Sequence, residues 1–361
     1  MIKVLVVEDS PVVREFLVST LSSDRDIEVI GTASNGEEAI EFLKRERPDV
    51  ITMDIHMPKI NGLDATRKIM ETSPTPIIVV SSSWDVDEVA TTFRAVEAGA
   101  LTLIPRPAGI GHPDYQKTTD ELIKTVKLMS EVKVVKRWPR RSRATGTTFW
   151  ADSAAGAASE TEISRGPSEM RVVAIGASTG GPVVLKTILS GLPQDFPAPL
   201  LIVQHIASGF VEGFVEWLGQ SSNLAVRLAA HGERLLPGCA YVAPDGSHLE
   251  VAAGDRISLS KGEPENGLRP SISHLFRSIA KVYGHRAVGV LLTGMGKDGA
   301  AELKLMREKG AVTIVQDEES SVVYGMPGEA IRLDAALYVL SPEAIVIKLL
   351  ELTRRNVMRD A

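Results

Sequence analysis

Short runs of Val, Ile and Leu alternate with amphipathic stretches along most of this chain, and that alternation constrains its fold more than any other feature. In the first part, apolar runs at Ile2–Val7, Ile27–Ala33, Val50–Met53, Ile77–Val80 and Leu101–Ile104 read as strands. Helical periodicity fills Pro11–Leu21, Gly36–Arg47, Gly62–Glu71, Asp85–Ala98 and about Asp114–Glu131 between and after them. Near-continuous apolar strands separated by helices predict a parallel sheet covered on both faces. Ser10 is suited to cap the first helix, with Pro11 at its first position.

The pattern stops and then resumes. Six of the eleven residues from Lys133 to Arg143 are basic, and Ala144 to Glu169 is rich in Ala, Ser, Thr and Gly. This is the composition of a tether, although Trp138, Phe149 and Trp150 also suit a segment that docks on a domain. From Arg171 a second α/β pattern begins, with strands at Arg171–Ile175, Leu200–Gln204, Ala287–Leu292 and Val312–Val315. Helices are expected at Pro182–Ser190, Gly209–Gly219, Ser271–Tyr283, Asp298–Lys309 and from Pro342. Turn-rich sequence between residues 230 and 260 predicts a β-rich middle. The expected organisation is a doubly wound, flavodoxin-like domain over 1–130, a flexible linker over 131–169, and an α/β domain with a mainly parallel sheet over 170–353. A length of 361 residues agrees, at about 150 residues per domain.

Composition excludes several classes. A single cysteine, Cys239, rules out an internal disulfide framework or a multi-cysteine metal site and fits a cytoplasmic setting. No apolar run approaches the ~18–20 residues of a membrane span, and the N-terminus lacks the basic lead of a signal peptide. Residues 1–110 hold 18 acidic against 11 basic side chains, whereas residues 171–361 are nearly neutral. An acidic first domain repels phosphate backbones, so no nucleic-acid partner is expected.

Ligands of parallel sheets bind at the carboxyl ends of the strands. Glu8 and Asp9 follow the first strand and Asp54 the third. If those strands are neighbours, three carboxylates gather, and Mg2+ with its preference for oxygen ligands would offset their repulsion. A carboxylate there could attack a phosphoryl group, with Ser81 and Arg106 within reach of it. Acids after strands also serve as plain helix caps, as Asp9 could. The stretches VLVVEDSPVVR, DVITMDIHMPKINGLDATRKI, PIIVVSSSW and AGALTLIPRP resemble the receiver domain of bacterial response regulators over about residues 1–125. The resemblance implies that Asp54 is the phosphoacceptor, that Glu8, Asp9 and Asp54 bind Mg2+, that Ser81 is the switch hydroxyl, and that a histidine kinase is the phosphodonor. It departs at Arg106-Pro107, where the family has Lys-Pro, and Arg is longer and planar.

In the second half, Gly176-Ala177-Ser178-Thr179-Gly180 lies between a strand and a helix and matches G-x-S-x-G, which exposes a serine hydroxyl on a sharp turn. An anion-binding loop and a purely structural turn remain open on that motif alone. A serine nucleophile needs a base and an acid that orients it. His205 follows the strand Leu200–Gln204, and Asp298 follows Ala287–Leu292, so Ser178, His205 and Asp298 share one sheet edge if the strands are parallel. His231, His248, His274 and His285 stand in turn or helical contexts expected of surface or internally satisfied residues.

IGASTGGP, LIVQHIASGF, YVAPDGSHLEV, RPSISHLF, LLTGMGKDGA and SVVYGMPGEAI resemble the catalytic domain of the chemotaxis protein-glutamate methylesterase family, CheB, over about residues 171–350. The resemblance implies a Ser178–His205–Asp298 triad, with Met295 and Thr179 at the oxyanion. It implies hydrolysis of glutamate γ-methyl esters on chemoreceptors, release of methanol, and deamidation of receptor glutamines. The family reads His-Met-Pro where this chain has His205-Ile206-Ala207, and Arg where it has Gly328. Two further readings are a receiver-controlled hydrolase of another methyl-esterified protein and a phospho-dependent binding module with weak esterase activity.

Overall fold

The computed structural model describes residues 1–81, 86–132, 134 and 170–357. Nearly all of the expected linker, with Trp138, Phe149 and Trp150, lies outside the described residues. The first unit runs β1 (Ile2–Val7), α1 (Pro11–Ser22), β2 (Ile27–Ala33), α2 (Gly36–Phe42), β3 (Val50–Met53), α3 (Gly62–Thr72), β4 (Ile77–Ser81), α4 (Val86–Ala98), β5 (Thr102–Pro105) and α5 (Tyr115–Ser130). Its five strands are all parallel in the order β2-β1-β3-β4-β5, the doubly wound order of flavodoxin-like folds. β3, β4 and the last four residues of β1 are buried throughout, as expected of strands covered on both faces. Helix α2 ends at Phe42 rather than continuing to Arg47.

The second unit runs β6 (Val172–Ala177), α6 (Gly181–Gly191), β7 (Leu200–Gln204), α7 (Val211–Gly219), β8 (Ala225–Leu228), β9 (Cys239–Val242), β10 (His248–Ala252), β11 (Arg256–Ser260), α8 (Ile272–Val282), β12 (Ala287–Leu291), α9 (Ala300–Glu308), β13 (Val312–Gln316), α10 (Met326–Arg332), β14 (Tyr338–Leu340) and α11 (Pro342–Val357). Seven strands form a wholly parallel sheet in the order β14-β13-β12-β6-β7-β9-β8, and β10 and β11 form a separate antiparallel pair. Chain order runs outward from β6 through β7 and then restarts at β12 on its other side. The crevice at that reversal is where open α/β sheets bind ligands. Asp298 precedes α9 rather than opening it, because Gly299 takes a left-handed φ of 81° and the helix starts at Ala300. Among the described residues no helix is long and apolar enough to cross a membrane.

The two units are packed together. Helix α4 lies against α6 and α7, and one apolar cluster runs continuously from the core of the first unit into that of the second. Phe93 on α4 is wholly buried, with its ring centroid 5.3 Å from both Phe214 and Trp217 of α7. Glu97 of α4 pairs with Lys186 of α6, whose ammonium also lies 5.1 Å from the Trp217 ring. Met295, Val322 and Val323 rest against the cluster that includes α5.

Removing the Phe93 ring empties the centre of this contact. Phe93→Ala should cost about 3 kcal/mol of docking, on the order of a hundredfold in amide exchange. Hydrogen exchange should rise in α4 and α7 while β1, β3, β6 and β7 keep their protection. Unchanged protection in α4 and α7 would contradict the interface as described.

Candidate active site

Three neighbouring strands end at the reversal of the seven-stranded sheet, and each delivers one of the residues singled out from the sequence. Ser178 follows β6, His205 follows β7, and Asp298 lies in the loop after β12. The order β12-β6-β7 makes them adjacent. The main chain of Ser178 is fixed on two sides, its N–H donating to Thr293 O at 3.0 Å and its carbonyl accepting from Gly181 N–H at 2.8 Å. The Gln204 amide adds 2.9 and 2.8 Å hydrogen bonds to the carbonyls of Ser178 and His205, linking the two residues. Gly294 permits the close approach of the next loop: a Cβ there would lie 2.6 Å from the Ser178 Cβ.

His205 and Asp298 are directly paired, with Nε2 3.0 Å from Oδ2. Asp298 is 4% exposed and would be unstable as an ion without partners. Its partners are abundant. Oδ1 accepts from the Ser271 hydroxyl at 2.8 Å, the Ser273 hydroxyl at 2.7 Å and the Ser273 N–H at 3.2 Å, and Oδ2 from the Ile272 N–H at 2.7 Å. Most of these groups belong to the start of α8, whose dipole also favours an anion. Burial pushes the carboxyl up, but the His205 contact and these hydrogen bonds outweigh it and hold Asp298 down to about 2. An ionised Asp298 fixes the proton on Nε2, which leaves Nδ1 as the basic nitrogen of the ring. Among the described residues the Ser178 hydroxyl makes no hydrogen bond to the ring; both side chains face one cavity of about 460 Å³. The N–H groups of Thr179 and Met295 make no hydrogen bond among the described residues, and both residues line that cavity.

Across the same cavity lies the first unit. Leu101, Leu103 and Ile104 around β5 and Thr125, Leu128 and Met129 of α5 form much of its opposite wall. The hydroxyl, the imidazole and the two amides therefore lie beneath the α4–β5–α5 face.

At the carboxyl edge of the first sheet, β1 and β3 are neighbours, and Glu8, Asp9 and Asp54 bring oxygens within 4.8 Å of one another. Burial, and then the nearby Asp54 carboxylate, raise Glu8 to about 7. Burial also raises Asp54, against the Ile55 N–H that donates to it at 2.8 Å. An all-oxygen set of crowded, reluctant anions fits a hard divalent cation. Ser81 ends β4 and is buried. Arg106 lies beyond β5 with Nη2 3.4 Å from Glu8 Oε2, and its buried Nε has no hydrogen-bond partner among the described residues.

Sequence reasoning did not identify Ser271, Ser273, Gln204 or Thr293 as parts of the site. Ser271 carried a readable signal, since it caps α8 through its side chain. His248 of β10 and His274 of α8, expected to be surface or internally satisfied residues, are stacked with ring centroids 3.7 Å apart. His248 accepts from the Ser271 N–H at 3.2 Å and so braces the same helix start.

The fold defines a class of protein, a receiver unit joined to a hydrolase domain. Residues 173–349 match the family model described as CheB methylesterase, and residues 4–112 match that of the response regulator receiver domain. The protein-glutamate methylesterase/protein-glutamine glutaminase of Nitrosospira multiformis is 59% identical over 352 residues, covering 98% of this chain and 97% of that protein. A protein of the same name from Geobacter metallireducens is 57% identical over 98% of this chain and 99% of its own length. The crystal structure of the Thermotoga maritima CheB methylesterase catalytic domain is 38% identical, with a TM-score of 0.49 over 50% of this chain and 98% of that one. The chain belongs to the CheB methylesterase family.

Two predictions follow from the support of Asp298. Its folded pKa lies below the unfolded value, so its stabilisation is complete above about pH 4 and is lost as pH falls toward 2; the shift corresponds to about 2 kcal/mol. Asp298→Ala should therefore destabilise the protein most near neutrality, by a margin that narrows in acid denaturation curves below pH 4. A constant margin would contradict the pairing. Ser271→Ala with Ser273→Ala should raise the Asp298 titration seen by carboxyl NMR by about one unit, and no movement would remove the serines from its support.

Proposed function

We propose that this enzyme hydrolyses glutamate γ-methyl esters on chemoreceptors, releasing methanol, deamidates receptor glutamines at the same site, and is controlled by phosphorylation of its receiver. The observation that carries the reading is the His205–Asp298 pair held beside Ser178 beneath the receiver face. The near full-length likeness to proteins named methylesterase/glutaminase supports the substrate class.

In this reading His205 Nδ1 takes the Ser178 proton while Oγ attacks the γ-carbonyl carbon. The carbonyl electrons move to oxygen, and the N–H groups of Met295 and Thr179 donate hydrogen bonds to that oxyanion; each such donor is worth ~10²–10³ in rate. Collapse re-forms the carbonyl and expels methoxide, which takes the proton from His205 and leaves as methanol. Water, deprotonated by His205, then releases Ser178 and the glutamate carboxylate. An amide follows the same course and loses ammonia.

At the receiver, Asp54 is the phosphoacceptor, and Glu8, Asp9 and Asp54 would hold Mg2+, which when bound offsets the charge of an incoming phosphoryl group. The Asp54 carboxylate oxygen attacks phosphorus as the bond from phosphorus to the donor's imidazole nitrogen breaks, and the freed imidazole departs; the Ser81 hydroxyl meets a phosphoryl oxygen, and Arg106 exchanges Glu8 for the new anion. A histidine kinase is the expected donor, and the cytoplasm the expected location. Phosphorylation then weakens the α4–β5–α5 face against the hydrolase. A shift from 1:99 to 99:1 open needs about 5.5 kcal/mol, a scale that a few buried aromatic contacts and one ion pair can set.

Methanol release from methylated receptor should rise with a small phosphodonor. Ser178→Ala should lower it by about four orders of magnitude, and Asp54→Asn should lose the stimulation. Phe93→Ala, at about 3 kcal/mol of docking, should raise the unstimulated rate on the order of tens of fold. Near-native release from folded Ser178→Ala, or unchanged unstimulated release from Phe93→Ala, would overturn the nucleophile and the occlusion respectively.

A further inference from the structure

Between β11 and α8 the chain reverses over two residues. Glu265 and Leu268 exchange both backbone hydrogen bonds, at 3.1 and 2.9 Å. Asn266 and Gly267 between them have φ of 54° and 77°. Two successive left-handed residues make a type I′ turn, which the Asn-Gly pair adopts at little cost. The root of the turn is clamped. Glu265 Oε2 lies 3.0 Å from His274 Nε2, and Oε1 lies 2.7 Å from Arg277 Nη2. Arg277 reaches Glu302 at 3.0 Å, and Glu302 meets the Ser273 hydroxyl that contacts Asp298. One polar network thus holds both the turn and the acid of the triad.

The far side of the turn faces the site. Asn266 and Leu268 line the cavity that contains Ser178 and His205, together with Ile206 and Ala207. Asn266 is exposed, and its side-chain amide makes no hydrogen bond among the described residues. Leu268 is half-buried. A stiff turn that presents one amide and one apolar side chain beside a nucleophile is already ordered for binding and loses little entropy when it is used.

We propose that the Glu265–Leu268 turn reads the substrate polypeptide. Asn266 hydrogen-bonds the main chain next to the esterified glutamate, and Leu268, Ile206 and Ala207 receive an apolar side chain beside it. This rests on the methylesterase reading above and adds to it the residues that hold the polypeptide around the esterified glutamate. Contacts remote from the reacting carbon act on receptor and small ester unequally, which makes them measurable.

The test uses the full chain with a phosphodonor and two substrates, methylated receptor and the γ-methyl ester of N-acetylglutamate amide. Asn266→Gly removes the side chain while glycine keeps the left-handed turn, and Leu268→Ala removes the apolar contact. Each should lower kcat/KM on the receptor about tenfold, mainly through KM, equivalent to about 1.4 kcal/mol. The loss on the receptor should exceed that on the small ester about fivefold or more. Equal losses on both substrates would make the turn a support for the triad, and no loss on either would remove it from the substrate; both results overturn the proposal. Ser178→Ala measured alongside separates the two claims, because receptor demethylation surviving that change refutes the esterase reading and not the turn.

Discussion

Phe93, wholly buried against Phe214 and Trp217, sits at the centre of the contact that joins the two domains. Each ring contact is modest, ~0.5–1.5 kcal/mol beyond its burial. The consequence is geometric. With α4 seated on α6 and α7, β5 and α5 come to lie over the cavity that holds Ser178 and His205. A weak, central contact suits a switch, because a change of a few kcal/mol at the receiver is comparable with the energy that keeps the domains docked.

The two carboxylate sites solve opposite problems with the same physics. Asp298 is surrounded by donors from α8 and by His205, and stays ionised although nearly enclosed. That suits the role proposed for it, to hold an imidazole and stabilise its charged form. Glu8 and Asp54 are also buried but face each other and few donors, so both are pushed upward. Such a cluster is poised to accept positive charge, whether from a cation or from Arg106, and its electrostatics change whenever a phosphoryl group arrives.

Much of this was legible in the residues. The strands of both sheets are runs such as Leu200–Gln204 and Ala287–Leu291, buried on both faces, and such runs announce themselves by composition. Placing Ser178, His205 and Asp298 each just past a strand required only that rule and parallel pairing, which the structure has. The edges were less readable. β8 alternates exposed and half-buried residues and β14 is mostly exposed, so neither stands out as an apolar run. The start of α9 was misplaced by two residues because Gly299 is left-handed, a property of the loop rather than of helical periodicity. Ser271, Ser273 and Gln204 were missed because their partners are 25 to 27 residues away, as Asp298 is from the serines, or follow another strand, as Ser178 does. No local pattern encodes a hydrogen bond made across the sheet edge.

The central claim is that the receiver face controls access to Ser178. The most direct measurement is the rate at which a fluorophosphonate ester labels Ser178 in the full chain, with and without a small phosphodonor, with the modified residue located by peptide mass spectrometry. The account predicts slow labelling at Ser178 that accelerates when Asp54 is phosphorylated. Equal rates in the two states, with Asp54 shown to be phosphorylated, would contradict it.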